Sequence, residues 1–151
     1  GVNNTYQRGD LNALDYRRLH RYLATHVYFA DWIAFRRGPL GRLVRQWARP
    51  SEGFFRFVHT KQSAALAVVY NADLSQGRAR LLFAINPTLA DDTLPLGAEF
   101  AGATGKTWRM LADHERFYLP EAGAASKPVE ADLVMPALSC ALWASDAQPE
   151  R

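Results

Sequence analysis

From Asp15 to Arg37 the apolar residues Leu19, Leu23, Val27, Ala30 and the pair Ile33/Ala34 recur at three-to-four spacing, and Tyr22 and His26 widen the stripe. That spacing predicts a single helix of about 22 residues, about 33 Å long at the standard rise. Asp15 is placed to accept from the free N–H groups of the first turn. Arg36 and Arg37 suit the negative end of the helix dipole, and Gly38-Pro39 stops the run. Leu40 to Trp47 predicts a further helical turn, and Arg49-Pro50-Ser51-Glu52-Gly53 reads as a linker.

Beyond Gly53 the period changes from 3.6 to 2. Strands are predicted at Phe54–His59, Ala64–Asn71, Arg80–Asn86, Lys106–Leu111, Val129–Val134 and Ser139–Ala144. Thr60-Lys61-Gln62-Ser63 is short enough to make the first pair a hairpin, and Ser75-Gln76-Gly77 punctuates the next connection. Short connections imply antiparallel pairing. With no helical stretch between strands, two packed sheets would bury runs such as Leu66-Ala67-Val68-Val69 and Leu81-Leu82-Phe83-Ala84-Ile85 on both sides. The stretches Gly97–Gly105 and Ala122–Ser126 read as surface loops. The expected fold class is therefore mostly β, an antiparallel β-sandwich over 51–151 preceded by one long helix within 1–50.

Composition sharpens this division. The chain of 151 residues is 48% hydrophobic and 22% charged, which excludes disorder as its main state. Its net charge of +3 is unevenly spread: residues 1–50 hold nine Arg against Asp10, Asp15 and Asp31, whereas 51–151 sum to −3. The arginines are scattered around helical turns and no nucleic-acid motif accompanies them, so a solvated face or a surface meeting an acidic neighbour is expected, without nucleic acid as partner. The single Cys140 excludes an internal disulfide and leaves the redox compartment open. No run approaches the ~18 apolar residues of a membrane span, so no membrane partner is expected.

A lone amphipathic rod ahead of a small sandwich needs an opposing surface. Because the chain begins at Gly1 and not at Met, the helix is expected to belong with a preceding domain. The residues themselves carry a resemblance that names one. Asn4-Thr5-Tyr6-Gln7-Arg8-Gly9-Asp10-Leu11-Asn12-Ala13-Leu14-Asp15-Tyr16 resembles the segment after the last barrel strand in pullulanase-type members of the α-amylase superfamily, glycoside hydrolase family 13. Trp32-Ile33-Ala34-Phe35-Arg36-Arg37 is similar to the end of that family's final barrel helix. Phe83-Ala84-Ile85-Asn86-Pro87-Thr88, Trp108-Arg109-Met110-Leu111 and Met135-Pro136-Ala137-Leu138-Ser139 through Trp143 follow in the order of its C-terminal β domain. Thr5 and Tyr16 stand where the family usually has Ser and Trp. Pullulanase, isoamylase-type debrancher and related glucosidases all fit.

The resemblance implies that residues 1–50 are the last loop and helix of a (β/α)8 barrel and that 51–151 are the C-terminal sandwich. A retaining glycosidase needs two carboxyl groups about 5 to 5.5 Å apart at the ends of barrel strands. The resemblance places these upstream of Gly1, so this chain has no catalytic residues of its own, while its parent would hydrolyse α-1,6-linked glucans. The missing barrel is the expected partner and α-glucan the expected ligand. Asn4, Tyr6 and Asp10 would face that substrate, with amide and carboxylate oxygens bonding sugar hydroxyls and a Tyr ring stacking on a pyranose; equally, a loop uses Asn and Asp to satisfy turn backbone. Two alternatives are a free-standing carbohydrate-binding module and a basic interaction module for nucleic acid or protein.

Other chemistry is weak. Trp47, Trp108 and Trp143 offer flat faces to sugars, but Trp108 and Trp143 fall in predicted strands, where core packing is expected. Asp113-His114-Glu115 reads as a polar loop, since successive residues point different ways and no second ligand cluster follows. His20 and His26 are six apart and share no helix face, and His59 reads as structural. Cys140 reads as a buried small hydrophobe. No metal or cofactor is expected.

Overall fold

The structure is a computed structural model that describes residues 18–98, 100, 107–118 and 129–146. Over these described residues it is mostly β, with antiparallel sheets and one α-helix. Helix α1 spans Leu23–Arg37, and a 3-10 helix follows at Leu40–Val44. The strands are β1 Phe55–His59, β2 Leu66–Tyr70, β3 Arg80–Asn86, β4 Asp92–Pro95, β5 Thr107–Asp113, β6 Asp132–Met135 and β7 Ser139–Asp146.

Five strands form one sheet in the order β1-β2-β3-β7-β5, and β4 pairs β6 in a second, two-stranded sheet. Strand β7, the last of these strands in chain order, lies between β3 and β5 and joins them into one sheet. The pleat sorts the side chains. Val69, Leu82, Trp143 and Met110 lie in one cross-strand row, followed by the small row Ala67, Ala84 and Ala141. These residues share a buried cluster with Leu94, Leu133 and Met135 of the second sheet, and with Phe100, Trp108 and Val129. The opposite row, Tyr70, Leu81 and Ala144, meets a second cluster built from Leu43, Phe54, Leu111 and Leu142, with Trp32, Phe35 and Phe117 against it.

Strand β3 matches its predicted bounds, and the other predicted strands are found with shifted ends. β4 was not expected: Asp92-Thr93-Leu94-Pro95 has one deeply buried residue, Leu94, and its Pro95 is tolerated because the sheet has only two strands, both edges. Val129 is buried, but β6 begins only at Asp132.

Helix α1 differs from expectation in length and in orientation. It has 15 residues, and 18–22 form turns; Tyr22 caps it at φ −117° and ψ 28° with no side-chain acceptor. Asp15, the expected cap, lies outside the described residues. Its C-terminal end is as expected, with Arg36 and Arg37 in the last turn and the Gly38 N–H donating to the Ala34 and Phe35 carbonyls. The face that meets the sheet, however, is Tyr28, Trp32 and Phe35. The Trp32 and Phe117 rings meet edge-on at 4.9 Å, and the Tyr28 hydroxyl donates to the Asp113 carbonyl at 2.8 Å. The periodic stripe of Leu19, Leu23, Val27 and Ile33 is exposed, as is Phe29. The chain then turns back so tightly that a Cβ on Gly41 would sit 2.1 Å from the Phe35 carbonyl oxygen, so only glycine fits there.

Two fully buried asparagines hold the strand ends. Asn71, in the left-handed region at φ 57°, donates to the Gly77 and Ala79 carbonyls and accepts from the Gln76 N–H, organising the β2–β3 turn. Asn86 does the same between the sheets, bonding Ala90, Met135 and Pro136. Ser51 donates to Asp73, and this bond ties the linker to the same β2–β3 turn and is the first cause of the lowered pKa of the Asp73 carboxyl.

Candidate functional site

Two concavities flank the large sheet. A cleft of about 470 Å³ lies between β6 and the β5–β7 edge, floored by Met110, Leu133, Met135 and Trp143 and rimmed by Asp113, His114, Glu130 and Asp132. A groove of about 520 Å³ runs between α1 and the outer face of the sheet, where Phe29, Ile33 and Arg36 face Tyr70, Phe83 and Leu142. Sequence patterning singles out neither, because each is assembled from elements far apart in the sequence.

Of the cleft's acidic rim, Asp113 is already committed to structure. Burial pushes the Asp113 carboxyl up, but the Tyr118 hydroxyl, the Glu115 and Arg116 N–H groups and the His114 charge outweigh it, and the group titrates below the usual carboxylate range. The Asp113-His114-Glu115 run is thus a turn closed by its own first carboxylate, as its reading as a polar loop implied. Among the described residues no group of three His, Cys, Asp or Glu side chains is placed to hold a metal ion. His20, His26 and His59 are all exposed.

Cys140, expected as a buried small hydrophobe, is only half-buried on β7, because it borders the cleft. Burial first, and the Asp113 charge second, push its thiol up, away from the thiolate form that attacks electrophiles. Its alkylation by a maleimide at pH 7 is therefore expected to be slower than that of free cysteine, followed by mass spectrometry; a rate equal to the free thiol's would contradict this environment.

One buried cation stands apart. Arg80 is 8% exposed, its Nη2 donates to the Ala72 carbonyl at 2.8 Å, and its guanidinium lies over the Phe100 ring at 5.4 Å. Its Nε and Nη1 are buried and find no hydrogen-bond partner among the described residues, and burial lowers its pKa against the opposing effect of the Asp73 charge. Nothing in its sequence context signalled a buried arginine.

The tryptophans divide as their contexts predicted. Trp108 and Trp143 are core residues, and the Trp108 indole N–H donates to the Phe100 carbonyl at 2.6 Å. Trp47 is 94% exposed. Asn4, Tyr6 and Asp10, the residues expected to face substrate, lie outside the described residues, as do Asn12 and Tyr16 of the same segment. Among the described residues no helix is long and apolar enough to cross a membrane. No protein-family model matches the chain, and no curated protein matches it.

Proposed function

We propose that this chain is the non-catalytic C-terminal part of an α-glucan-acting glycoside hydrolase, in which 1–50 complete a (β/α)8 barrel and 51–151 form a C-terminal β-sandwich. Its role is structural. It packs beside the barrel, buries the last barrel helix and shapes one edge of a cleft in which the parent hydrolyses α-1,6-glucosidic bonds of starch, glycogen or pullulan.

The observation that carries this reading is the two-sided helix. α1 rests on its own sheet through Tyr28, Trp32 and Phe35, yet Leu23 is 53%, Val27 47% and Ile33 59% exposed on its other sides. A helix that is apolar over most of its circumference is one that a larger protein buries. Asp31 is the single acidic residue between Arg18 and Pro50, so the surface that receives this face is expected to be apolar and edged with carboxylates. The motifs quoted from Asn4 to Tyr16 and from Phe83 to Trp143 supply the family.

Two measurements test the reading. Sequencing the reading frame ahead of Gly1 is expected to find a barrel with carboxylates at its strand ends, and the full protein is expected to release reducing sugar from pullulan while these 151 residues alone do not. A native reading frame that starts at Gly1, or hydrolysis by this chain alone, would overturn it.

A further inference from the structure

We infer that the groove between α1 and the outer face of the large sheet binds an amphipathic carboxylate of the fatty-acid class, an apolar chain ending in one acid group. The inference goes beyond the role proposed above and does not rest on it. The groove holds about 520 Å³, within the range of small-molecule sites. Its floor is Tyr70, Phe83, Cys140 and Leu142, and its wall is one face of α1, where Phe29, Ile33 and Arg36 follow at helical spacing.

The wall is fixed before any ligand arrives. On the neighbouring face of α1 the Tyr28 hydroxyl donates to the Asp113 carbonyl at 2.8 Å, and the Trp32 ring meets Phe117 at 4.9 Å, so the helix is pinned above the sheet. Phe29 is nevertheless 61% and Ile33 59% exposed. A preformed apolar channel gives a ligand this burial at little ordering cost. Leu23 and Val27 lie on a third face of the helix and stay available to the surface that receives it.

Charge complementarity selects the occupant. Arg36 is the only charged side chain among the described residues that line the groove, and its guanidinium makes no ion pair or hydrogen bond among them. Asp31, the acidic residue of the helix, is turned about 140° around the axis from Arg36 and does not neutralise it. On the floor, burial keeps the Tyr70 hydroxyl protonated with no hydrogen bond contributing, which leaves a second donor without an acceptor among the described residues. Phe29 is about 10 Å along the helix from Arg36. One cation at one end of an otherwise apolar channel fits one anionic head with an apolar tail, and a guanidinium takes a carboxylate bidentately. An apolar cation is repelled there, and a neutral chain leaves Arg36 uncompensated. A second copy of this chain would bring its own arginine-rich helix against this one, which the like charges oppose.

The test is calorimetric titration of the full chain with decanoate, decanol and decylammonium, each below the concentration at which it aggregates. Decanoate is expected to bind about tenfold tighter than decanol, the worth of one charge-assisted hydrogen bond, and decylammonium weakest. R36Q, an exposed change expected to leave the melting temperature unaltered, is expected to bring decanoate down to the affinity of decanol. Bound decanoate is also expected to slow maleimide alkylation of Cys140, which shares the groove side of β7 with Leu142. Decanoate that does not bind, binds no tighter than decanol, keeps its affinity in R36Q or leaves the Cys140 rate unchanged would overturn the inference. A chain that sediments as a dimer untouched by decanoate would overturn it too, and would assign the groove to a second copy.

Discussion

Replacing Trp108 by alanine is expected to destabilise the protein by about 4 kcal/mol, the middle of the range for removing a buried aromatic side chain. The ring is 1% exposed and lies in the cluster shared by the two sheets, beside Phe100 and Val129. Deleting it opens a cavity that β5 cannot close, because Met110 is already engaged opposite Trp143 across the ladder. It also strips the Phe100 carbonyl of the indole donor at 2.6 Å. For a chain of this size the loss corresponds to a fall of about 8–16 °C in Tm. W108F separates the two contributions: it keeps most of the apolar volume and loses the donor, for an expected cost of about 1–3 kcal/mol. Urea midpoints at constant m-value would measure both. A loss below about 1 kcal/mol for W108A would place the ring outside the core, since only surface changes are that mild. W47A supplies that surface reference on the same chain.

The contrast between these two tryptophans shows what a sequence can disclose. Trp108 and Trp143 lie in alternating apolar runs, and a side chain on the inner face of a paired strand has nowhere to go but the core. Arg80–Asn86 was legible to its ends because turn residues precede its continuous apolar run and Pro87-Thr88 follows it. β4 was not, because four residues with one buried side chain carry no period and its partner β6 lies some forty residues on. The helix was legible as a helix but not in its orientation. Leu23, Val27 and Ile33 make one stripe and Tyr28, Trp32 and Phe35 another, and periodicity alone does not say which faces the sheet. The aromatic stripe wins this contact because Phe117, brought back by the bridge between Ala112 and Phe117, offers it a ring to meet.

The candidate sites were legible only in part, for a related reason. The Asp113-His114-Glu115 run is a local feature whose structural role follows from its neighbours in sequence, whereas the apolar neighbours of Cys140 did not disclose that it borders two concavities and is only half-buried. The cleft beside β6 and the buried Arg80 donors that find no acceptor among the described residues depend on residues brought together across the fold. A lone arginine at the start of an apolar strand reads as a solvent-facing end. Arg80 is instead covered by Phe100 and by the turn that carries Ala72, a long-range closure that no local pattern encodes.

The Asn-Pro and Met-Pro motifs that carry much of the family resemblance meet at one atom group, and this predicts the second large effect. Asn86 is fully buried; its Nδ2 faces the carbonyls of Ala90 at 2.8 Å, Met135 at 3.0 Å and Pro136 at 3.1 Å, and its Oδ1 accepts from the Thr88 N–H at 3.0 Å and hydroxyl at 2.8 Å. One amide thus fixes the end of β3 to the end of β6 and the approach to β7. N86A is expected to cost about 3 kcal/mol, because carbonyls that have lost water on folding would also lose their donor. N86D keeps the shape but turns a donor into an acceptor against three carbonyl oxygens. It is expected to be the worse of the two near neutrality. Its pH dependence follows from the sign of the shift. Burial against carbonyls raises the folded-state pKa of the new carboxyl above its unfolded value of about 3.9. The penalty is therefore small below that unfolded value, where the acid is protonated in both states. It grows as the pH rises from there toward the raised folded value. Urea midpoints of N86A and N86D between pH 4 and 7 are expected to draw apart as the pH rises. A constant gap would mean that the carboxylate escapes to solvent, and that β6 can part from β3 without disrupting either cluster.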